Sequence, residues 1–256
     1  MDIVRVVSFV LWFSIAAGPP FAAYAGSETA HHRHWGYEGK NGPEYWGEME
    51  KENAPCKLGK EQSPINITGS VKSDLPAIRF NYKPTALKVV NNGHTIQVNY
   101  DKSSSIKVGD KSFDLVQFHF HTPSEEQING KPYEMVWHLV HKSAEGKLGV
   151  VGVLVKQGKR NDAINAIAAN LPEEQGKEHA ATGVSVNAAN LLPSNRGYYH
   201  FMGSLTTPPC SEGVSWYVLK EPVEASTEQI AKFKALFGKN ARPVQPLHTR
   251  MVKESK

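Results

Sequence analysis

Apolar and polar residues alternate in short runs through the middle of the chain, and turn-forming residues separate these runs. Alternation with a period of two, in runs rich in β-branched and aromatic residues, is typical of strands that bury one face. Asn92-Gly93, Asn129-Gly130 and Glu145-Gly146 are among the turn signals between the runs. The pattern predicts strands over residues 78–82, 87–90, 94–100, 105–108, 113–121, 135–141 and 149–156.

Helical periodicity is confined to two segments nearer the C-terminus. Asn161 or Asp162 caps the first segment, residues 161–170, which ends before Pro172, and a capping box over residues 226–229 begins the second. Gly238 ends the second segment. Neither internal repeats nor an interior linker interrupt the pattern, so the sequence predicts a single, mainly β domain with short peripheral helices.

The composition is that of an ordinary globular protein. Hydrophobic residues make up 40% of the 256 residues and charged residues 21%, which is not a disordered composition. The net charge is +4, with acidic residues interspersed among the basic ones. Because no basic stripe with interleaved aromatic residues occurs, a nucleic-acid partner is not expected.

The first 25 residues have the features of a secretory signal peptide. An apolar run over residues 6–17 follows Arg5 and is too short to span a bilayer. Ala23-Tyr24-Ala25 then supplies a small-residue cleavage site. Asp2 offsets the charge of Arg5, so a retained membrane anchor is the alternative. Cleavage would give an exported protein, periplasmic or secreted, without contact to a membrane.

Residues 26–34 are predicted to be a flexible N-terminal tail. The segment is polar and contains His31, His32 and His34. No predicted strand or helix fixes the spacing of these histidines, so a designed metal site is not expected there.

The chain has two cysteines, Cys56 and Cys210. In an exported protein two cysteines predict one disulfide, and two buried free thiols are the alternative. A bridge that closes so long a loop stabilises by about 4–5 kcal/mol in the chain-entropy description.

The candidate chemistry lies on two predicted strands. Residues 117–121 read Gln-Phe-His-Phe-His, so His119 and His121 project from one face and the two phenylalanines from the other. His138 lies in another run of strand formers. Three imidazoles on two neighbouring strands suit a tetrahedral Zn²⁺ whose fourth position is open to water. The sequence therefore predicts a zinc enzyme that acts through that water.

A His-x-His pair followed by Glu125 also occurs in cupins, which bind iron, manganese or other metals on a β-barrel. The cupin pattern requires glycine at positions where this chain has Phe113 and Pro132. The second cupin motif, with Pro-x-Gly ahead of a third histidine, is absent near His138. A cupin-like metalloenzyme is thus the weaker alternative.

Several longer motifs occur along the chain in a recognisable order. They are Trp35-Gly36-Tyr37, Gln62-Ser63-Pro64-Ile65-Asn66-Ile67, Asn91-Asn92-Gly93-His94, residues 117–121, residues 138–141, residues 203–210 and Arg242-Pro243-Val244-Gln245. Together they resemble an α-class carbonic anhydrase of the bacterial, exported type. The resemblance runs from about Trp35 to Met251, so residues 35–251 are predicted to form the catalytic domain.

The resemblance implies a central, twisted, mostly antiparallel sheet of ten strands with Zn²⁺ at the base of a conical cleft. It implies a zinc lyase in which zinc-bound hydroxide converts CO₂ reversibly into bicarbonate and a proton. Thr206 is similar to the residue that accepts the hydrogen bond of the hydroxide and donates its own proton to Glu125. The expected partner is this small substrate, and a homodimer is left open.

The resemblance also implies roles around the metal. His94 matches the proton shuttle, and Gln117 could orient His119. Because His94 and Gln97 have opposite parity on a regular strand, a bulge is expected between them. The neighbours expected to organise water near the shuttle are Tyr37, Asn92 and Gln97. The positions expected to bind CO₂ are Val140, Val150, Leu205, Thr207, Val214 and Trp216.

Three positions behind the third histidine depart from the family pattern. Val136 stands where the family usually has Glu, Glu126 where it has His, and Phe201 where it has Tyr. We hypothesise that Glu126 reaches the free nitrogen of His138; alternatively Glu126 faces solvent and a water serves His138. A carbonic-anhydrase-like domain that only binds a partner is a third alternative, although the zinc ligands are complete.

Overall fold

The computed structural model describes residues 34–172 and 174–256. The predicted signal peptide, and the predicted tail up to residue 33, lie outside the described residues. In chain order the strands are β1 (Asn66–Ile67), β2 (Val71–Ser73), β3 (Ile78–Asn81), β4 (Thr85–Asn91), β5 (Ile96–Asn99), β6 (Ser105–Val108), β7 (Lys111–His121), β8 (Gln127–Ile128), β9 (Lys131–Pro132), β10 (Met135–Lys142), β11 (Leu148–Gln157), β12 (Glu178–Val186), β13 (Tyr198–Ser204), β14 (Glu212–Leu219), β15 (Val223–Ala225) and β16 (Lys253–Ser255). The α-helices are α1 (Trp46–Met49), α2 (Pro55–Leu58), α3 (Asp162–Ala168) and α4 (Thr227–Phe237).

One large mixed sheet dominates the described part of the chain. Its strands follow one another in the order β12-β4-β5-β7-β10-β11-β14-β13-β16-β2, and β3, β6 and β15 pair beside this path. Most neighbours are antiparallel, whereas β11 is parallel to β14 and β15, and β16 is parallel to β2. The predicted mainly β fold, with a path of ten mostly antiparallel strands and short peripheral helices, is confirmed.

The predicted strands and helices are all present, with ends that differ by at most two residues. Asn161 caps α3, and the capping box of Ser226 and Gln229 begins α4 as the sequence indicates. No strand is predicted beyond residue 156, yet β12 to β16 complete the sheet.

The turn before β5 corrects one prediction. β5 begins at Ile96, and His94 lies in the preceding turn. Asn92 Oδ1 accepts hydrogen bonds there from the backbone N–H groups of His94 (3.0 Å) and Thr95 (2.9 Å). The expected bulge between His94 and Gln97 is therefore wrong, because strand parity does not apply to a residue in a turn.

Both faces of the sheet are buried, and β10 alternates between them. Trp137 packs against Phe120 and against Phe233 of α4 in the larger apolar core. Val136 belongs instead to a smaller cluster on the other face, with Trp216. The side of this smaller cluster is also the side on which His138 lies.

A β-bulge in β7 turns two histidines away from the larger core. The pairing of β7 with β10 skips Val116, which is the extra residue. Leu115 before the bulge and Phe118 after it both lie in the larger core, although three positions separate them. Because the bulge resets the alternation, His119 and His121 face the opposite side of the sheet.

Candidate metal centre

Three histidine side chains converge on β7 and β10. These strands are antiparallel neighbours, and His119 lies directly opposite His138 in their register. His121 follows two residues later on the same face of β7. One nitrogen from each ring lies within 4.8 Å of the others. Nitrogens that share one tetrahedral zinc ion lie about 3.3–3.4 Å apart, so the three rings have to rotate toward one another to hold a single ion.

The second nitrogen of each ring faces an oxygen of the protein. These contacts are Gln117 Oε1 to His119 Nδ1 (2.8 Å), the Asn240 backbone oxygen to His121 Nδ1 (2.7 Å) and Glu126 Oε2 to His138 Nε2 (3.1 Å). An acceptor at one nitrogen fixes the tautomer that leaves a lone pair on the other. His121 Nε2 is buried without a hydrogen-bond partner, as expected for a nitrogen aimed at a cation. The residues therefore fit a zinc ion.

Burial keeps two of the three imidazoles neutral. It lowers the pKa of His119 to about 3, helped by the charge of His138, and it lowers the pKa of His121 well below the usual value. Burial acts the same way on His138, but Glu126 and Glu125 together raise its pKa above the usual value. Metals bind the neutral imidazole, so His119 and His121 are ready ligands and His138 is the most basic one.

Glu125 is buried beside the three histidines. Its Oε1 accepts the backbone N–H of Arg242 at 2.8 Å, and its Oε2 lies 3.5 Å from His121 Nε2. Burial raises the pKa of Glu125 to about 7, while the charge of His138 and a hydrogen bond from Thr206 oppose that rise. Because the Thr206 hydroxyl donates to Glu125, its oxygen stays available as an acceptor.

An apolar wall lies next to His138. The Trp216 ring packs edge-on against the His138 ring, with centroids 4.9 Å apart, and its Nε1 donates to the Ser204 carbonyl at 3.0 Å. The structure gathers the apolar residues predicted to bind CO₂ into the smaller cluster: Val140, Val150, Leu205, Val214 and Trp216. Such a wall suits a substrate with no charge.

A cavity of about 120 Å³ opens beside His119 and His121. Its lining includes the residues predicted for proton transfer, Tyr37, Asn92, His94 and Gln97, and the predicted substrate residue Thr207. Burial raises the pKa of Tyr37 well above its usual value, so its hydroxyl stays protonated.

The departures behind the third histidine form a consistent arrangement. Glu126 is fully buried and contacts His138, so the alternative in which Glu126 faces solvent is wrong. Val136 is buried in the smaller cluster, and Phe201 stacks parallel to Trp216 at a centroid distance of 6.1 Å. Apolar packing thus replaces the polar groups usual at Val136 and Phe201.

Sequence reasoning left Asn240 out and gave Arg242 no role beyond a motif. Besides its contact with His121, Asn240 accepts the Thr122 backbone N–H through Oδ1 at 2.7 Å. The Arg242 guanidinium donates to Gln62 Oε1 and to two backbone carbonyls at 2.7–2.9 Å. An asparagine far along the chain carries no local signal that would have identified it.

Cys56 and Cys210 form a disulfide, as predicted. Their Cα atoms lie 5.0 Å apart across a sequence separation of 154 residues. The bridge joins α2 to the loop that carries Thr206. Among the described residues, helices fall short of the length and hydrophobicity that crossing a membrane requires.

The fold and the site define a class: mainly β proteins with a three-histidine metal centre beside an apolar wall. The chain belongs to the α-class carbonic anhydrase family, because the family model described as eukaryotic-type carbonic anhydrase matches residues 41–256. The family reaction, which this enzyme catalyses, is the reversible hydration of CO₂. Membership in this family removes the cupin alternative.

Relatives with established names cover most of the chain. A carbonic anhydrase of Nostoc is 44% identical over 86% of both chains, and one of Neisseria gonorrhoeae is 45% identical over 91% of this chain and 92% of its own. The solved α-carbonic anhydrase of Thermovibrio ammonificans, in complex with the inhibitor sulfanilamide, is 47% identical. It covers 87% of this chain and 99% of its own, with a TM-score of 0.83.

Proposed function

We propose that this enzyme holds a zinc ion through the free nitrogens of His119, His121 and His138 and uses it to hydrate CO₂. The observation that carries the proposal is the convergence of three ring nitrogens while the second nitrogen of each ring contacts an oxygen of the protein. Zinc in carbonic anhydrases lowers the pKa of a bound water to about 7, a value established for this enzyme class.

Thr206 and Glu125 orient the attacking oxygen. Glu125 accepts the hydrogen bond of the Thr206 hydroxyl, so the Thr206 oxygen is left to accept a hydrogen bond from a donor in the cavity. The attacking oxygen must therefore donate its O–H to Thr206, which leaves one of its lone pairs free to attack the carbon of CO₂. The backbone N–H of Arg242 holds Glu125 in place.

The apolar wall receives CO₂. Val140, Val150, Leu205, Val214 and Trp216 offer no hydrogen-bonding group toward the substrate, since the Trp216 N–H is already used by Ser204. Water therefore competes weakly for this surface. Thr207 lies at the cavity side, where bicarbonate would form.

His94 passes the released proton toward solvent, with Tyr37, Asn92 and Gln97 ordering water along the cavity. Gln97 is held by a hydrogen bond from its Nε2 to Asn99 Oδ1 at 2.7 Å. Asn92 uses its Oδ1 for the turn, which fixes the position of His94.

Gln117 and Glu126 orient the metal ligands. Gln117 fixes the orientation of the His119 ring. Glu126 fixes the orientation of the His138 ring, a role that the family pattern gives to a glutamate at the position of Val136. Both contacts set the tautomer that turns a lone pair toward the metal.

The enzyme works outside the cytoplasm, in the periplasm or as a secreted protein. Residues 1–25 are proposed to be a cleaved signal peptide and residues 35–251 the catalytic domain. The disulfide supports this location, because such bonds persist in oxidising compartments.

Elemental analysis and CO₂ hydration kinetics of the purified protein test the proposed function. We expect about one zinc per chain, activity that a chelator removes and added zinc restores, and inhibition by sulfanilamide. His119→Ala should lose zinc and activity, whereas His179→Ala, at an exposed histidine, should lose neither. A folded wild-type protein without zinc and without activity would refute the proposal.

A further inference from the structure

Two aromatic rings stack on His94 at the outer edge of the cavity. The Trp35 ring lies 3.6 Å from the His94 ring, centroid to centroid and nearly parallel, and the His34 ring lies 5.0 Å away at 27°. His94 lines the cavity that contains His119, and it also lines an outer cleft together with His34. His34 is exposed. Two imidazoles in contact thus lead from the cavity to solvent.

The two imidazoles influence each other's charge. Burial lowers the pKa of His94 to about 4, and the charge of His34 contributes to the lowering. A charge on His34 therefore disfavours a proton on His94. The other charged side chains of the cleft, Glu38 and Lys239, have opposite signs. Hence His94 does not retain a proton near neutral pH.

We propose that His34 is the outer residue of the proton path, which takes the proton from His94 and passes it to buffer. His94 accepts a proton from cavity water at its unprotonated ring nitrogen and releases the proton of its other nitrogen, which reaches His34 through solvent in the outer cleft, because stacked rings do not hydrogen-bond to each other. His34 then loses a proton to a buffer base, so both rings return to their neutral forms and only N–H and O–H bonds change. An exposed histidine suits this role, because buffer reaches it without entering the cavity.

The inference rests on the proposed function and adds a residue to it. Its first test is CO₂ hydration in dilute and in concentrated imidazole buffer. His34→Ala should lower kcat by about threefold or more in dilute buffer, leave kcat/KM unchanged, and regain kcat in concentrated buffer. His179→Ala, an exposed histidine on β12, is the matched control and should behave as the wild type.

Two further measurements separate a relay from a structural role. In the double variant, His94→Ala with His34→Ala, kcat in dilute buffer should equal that of His94→Ala, because His34 acts through His94. An NMR titration of the His94 ring should show a higher pKa in His34→Ala than in the wild type.

The relay is overturned by an unchanged kcat of His34→Ala in dilute buffer, by a loss that buffer does not restore, by additive losses, or by an unchanged His94 titration. If the wild-type chain fails to hydrate CO₂, the proposed function is wrong and the relay with it. Wild-type activity with an unaffected His34→Ala rejects the relay alone.

Discussion

Removing the carboxylate of Glu126 should weaken zinc binding at His138. Glu126 Oε2 is the acceptor for His138 Nε2 at 3.1 Å, and both side chains are at most 1% exposed. Glu126→Ala leaves the imidazole N–H without a protein partner in a site that bulk water does not reach. The ring then loses both its fixed tautomer and part of its basicity.

The size of the effect follows from this burial. A buried donor without a partner costs about 1–3 kcal/mol, which corresponds to a roughly 5- to 150-fold weaker zinc affinity at 25 °C. Loss of a carboxylate that supports a metal-bound histidine typically costs about 10- to 100-fold, so the two approaches agree. Glu126→Gln keeps a carbonyl acceptor of the same length but lacks the charge, so its affinity should lie between those of the wild type and Glu126→Ala.

Competition with a chromophoric chelator measures the zinc affinity of each variant. Glu134→Ala, at an exposed glutamate between β9 and β10, is the matched control and should bind zinc as the wild type does. Wild-type zinc affinity in Glu126→Ala would refute the reasoning.

Three other predictions concern the attacking oxygen, the core and the disulfide. Thr206→Val should lower kcat/KM for CO₂ hydration by about 100-fold with zinc content unchanged, and wild-type kinetics would contradict its role. Burial lowers the pKa of His141 to about 4, so the unfolded chain binds more protons than the folded one between about pH 6.5 and pH 4, and stability is lost as pH falls through that window. Over this range the unfolding free energy should fall by about 3 kcal/mol more in the wild type than in His141→Gln, and parallel urea denaturation profiles would contradict this. Replacing Cys56 and Cys210 by serine should lower the unfolding free energy by about 5 kcal/mol, and an unchanged denaturation midpoint would show that the bridge contributes nothing.

The short spacing between metal ligands in the chain allowed them to be predicted from the sequence. His119 and His121, two residues apart on a strand, share a face in any fold that keeps the strand. The capping box at Ser226 is equally local, since its two hydrogen bonds lie within one helical turn. The family motifs extended this reading to Thr206 and Glu125, which lie far apart in the chain.

Strand alternation gave a wrong prediction at the end of a regular strand. His94 lies in a turn and not on β5, so no bulge separates it from Gln97. A real bulge lies at Val116, where nothing in the sequence announces it. Uniform alternation over residues 113–121 would have placed Phe113 and His119 on one face of the sheet. Phe113 is buried in the larger core, so the extra residue of the bulge is what turns His119 to the opposite face.

The sequence by itself determined the fold class, the three imidazoles and the pair of cysteines, because periodicity and short spacings fix which side chains share a face. Only the tertiary structure decided that Glu126 supports His138 and that the backbone of Asn240 supports His121. The physical reason is range: Asn240 meets His121 across 119 positions of the chain. That contact depends on how the C-terminal segment packs over the sheet, which a local pattern does not specify.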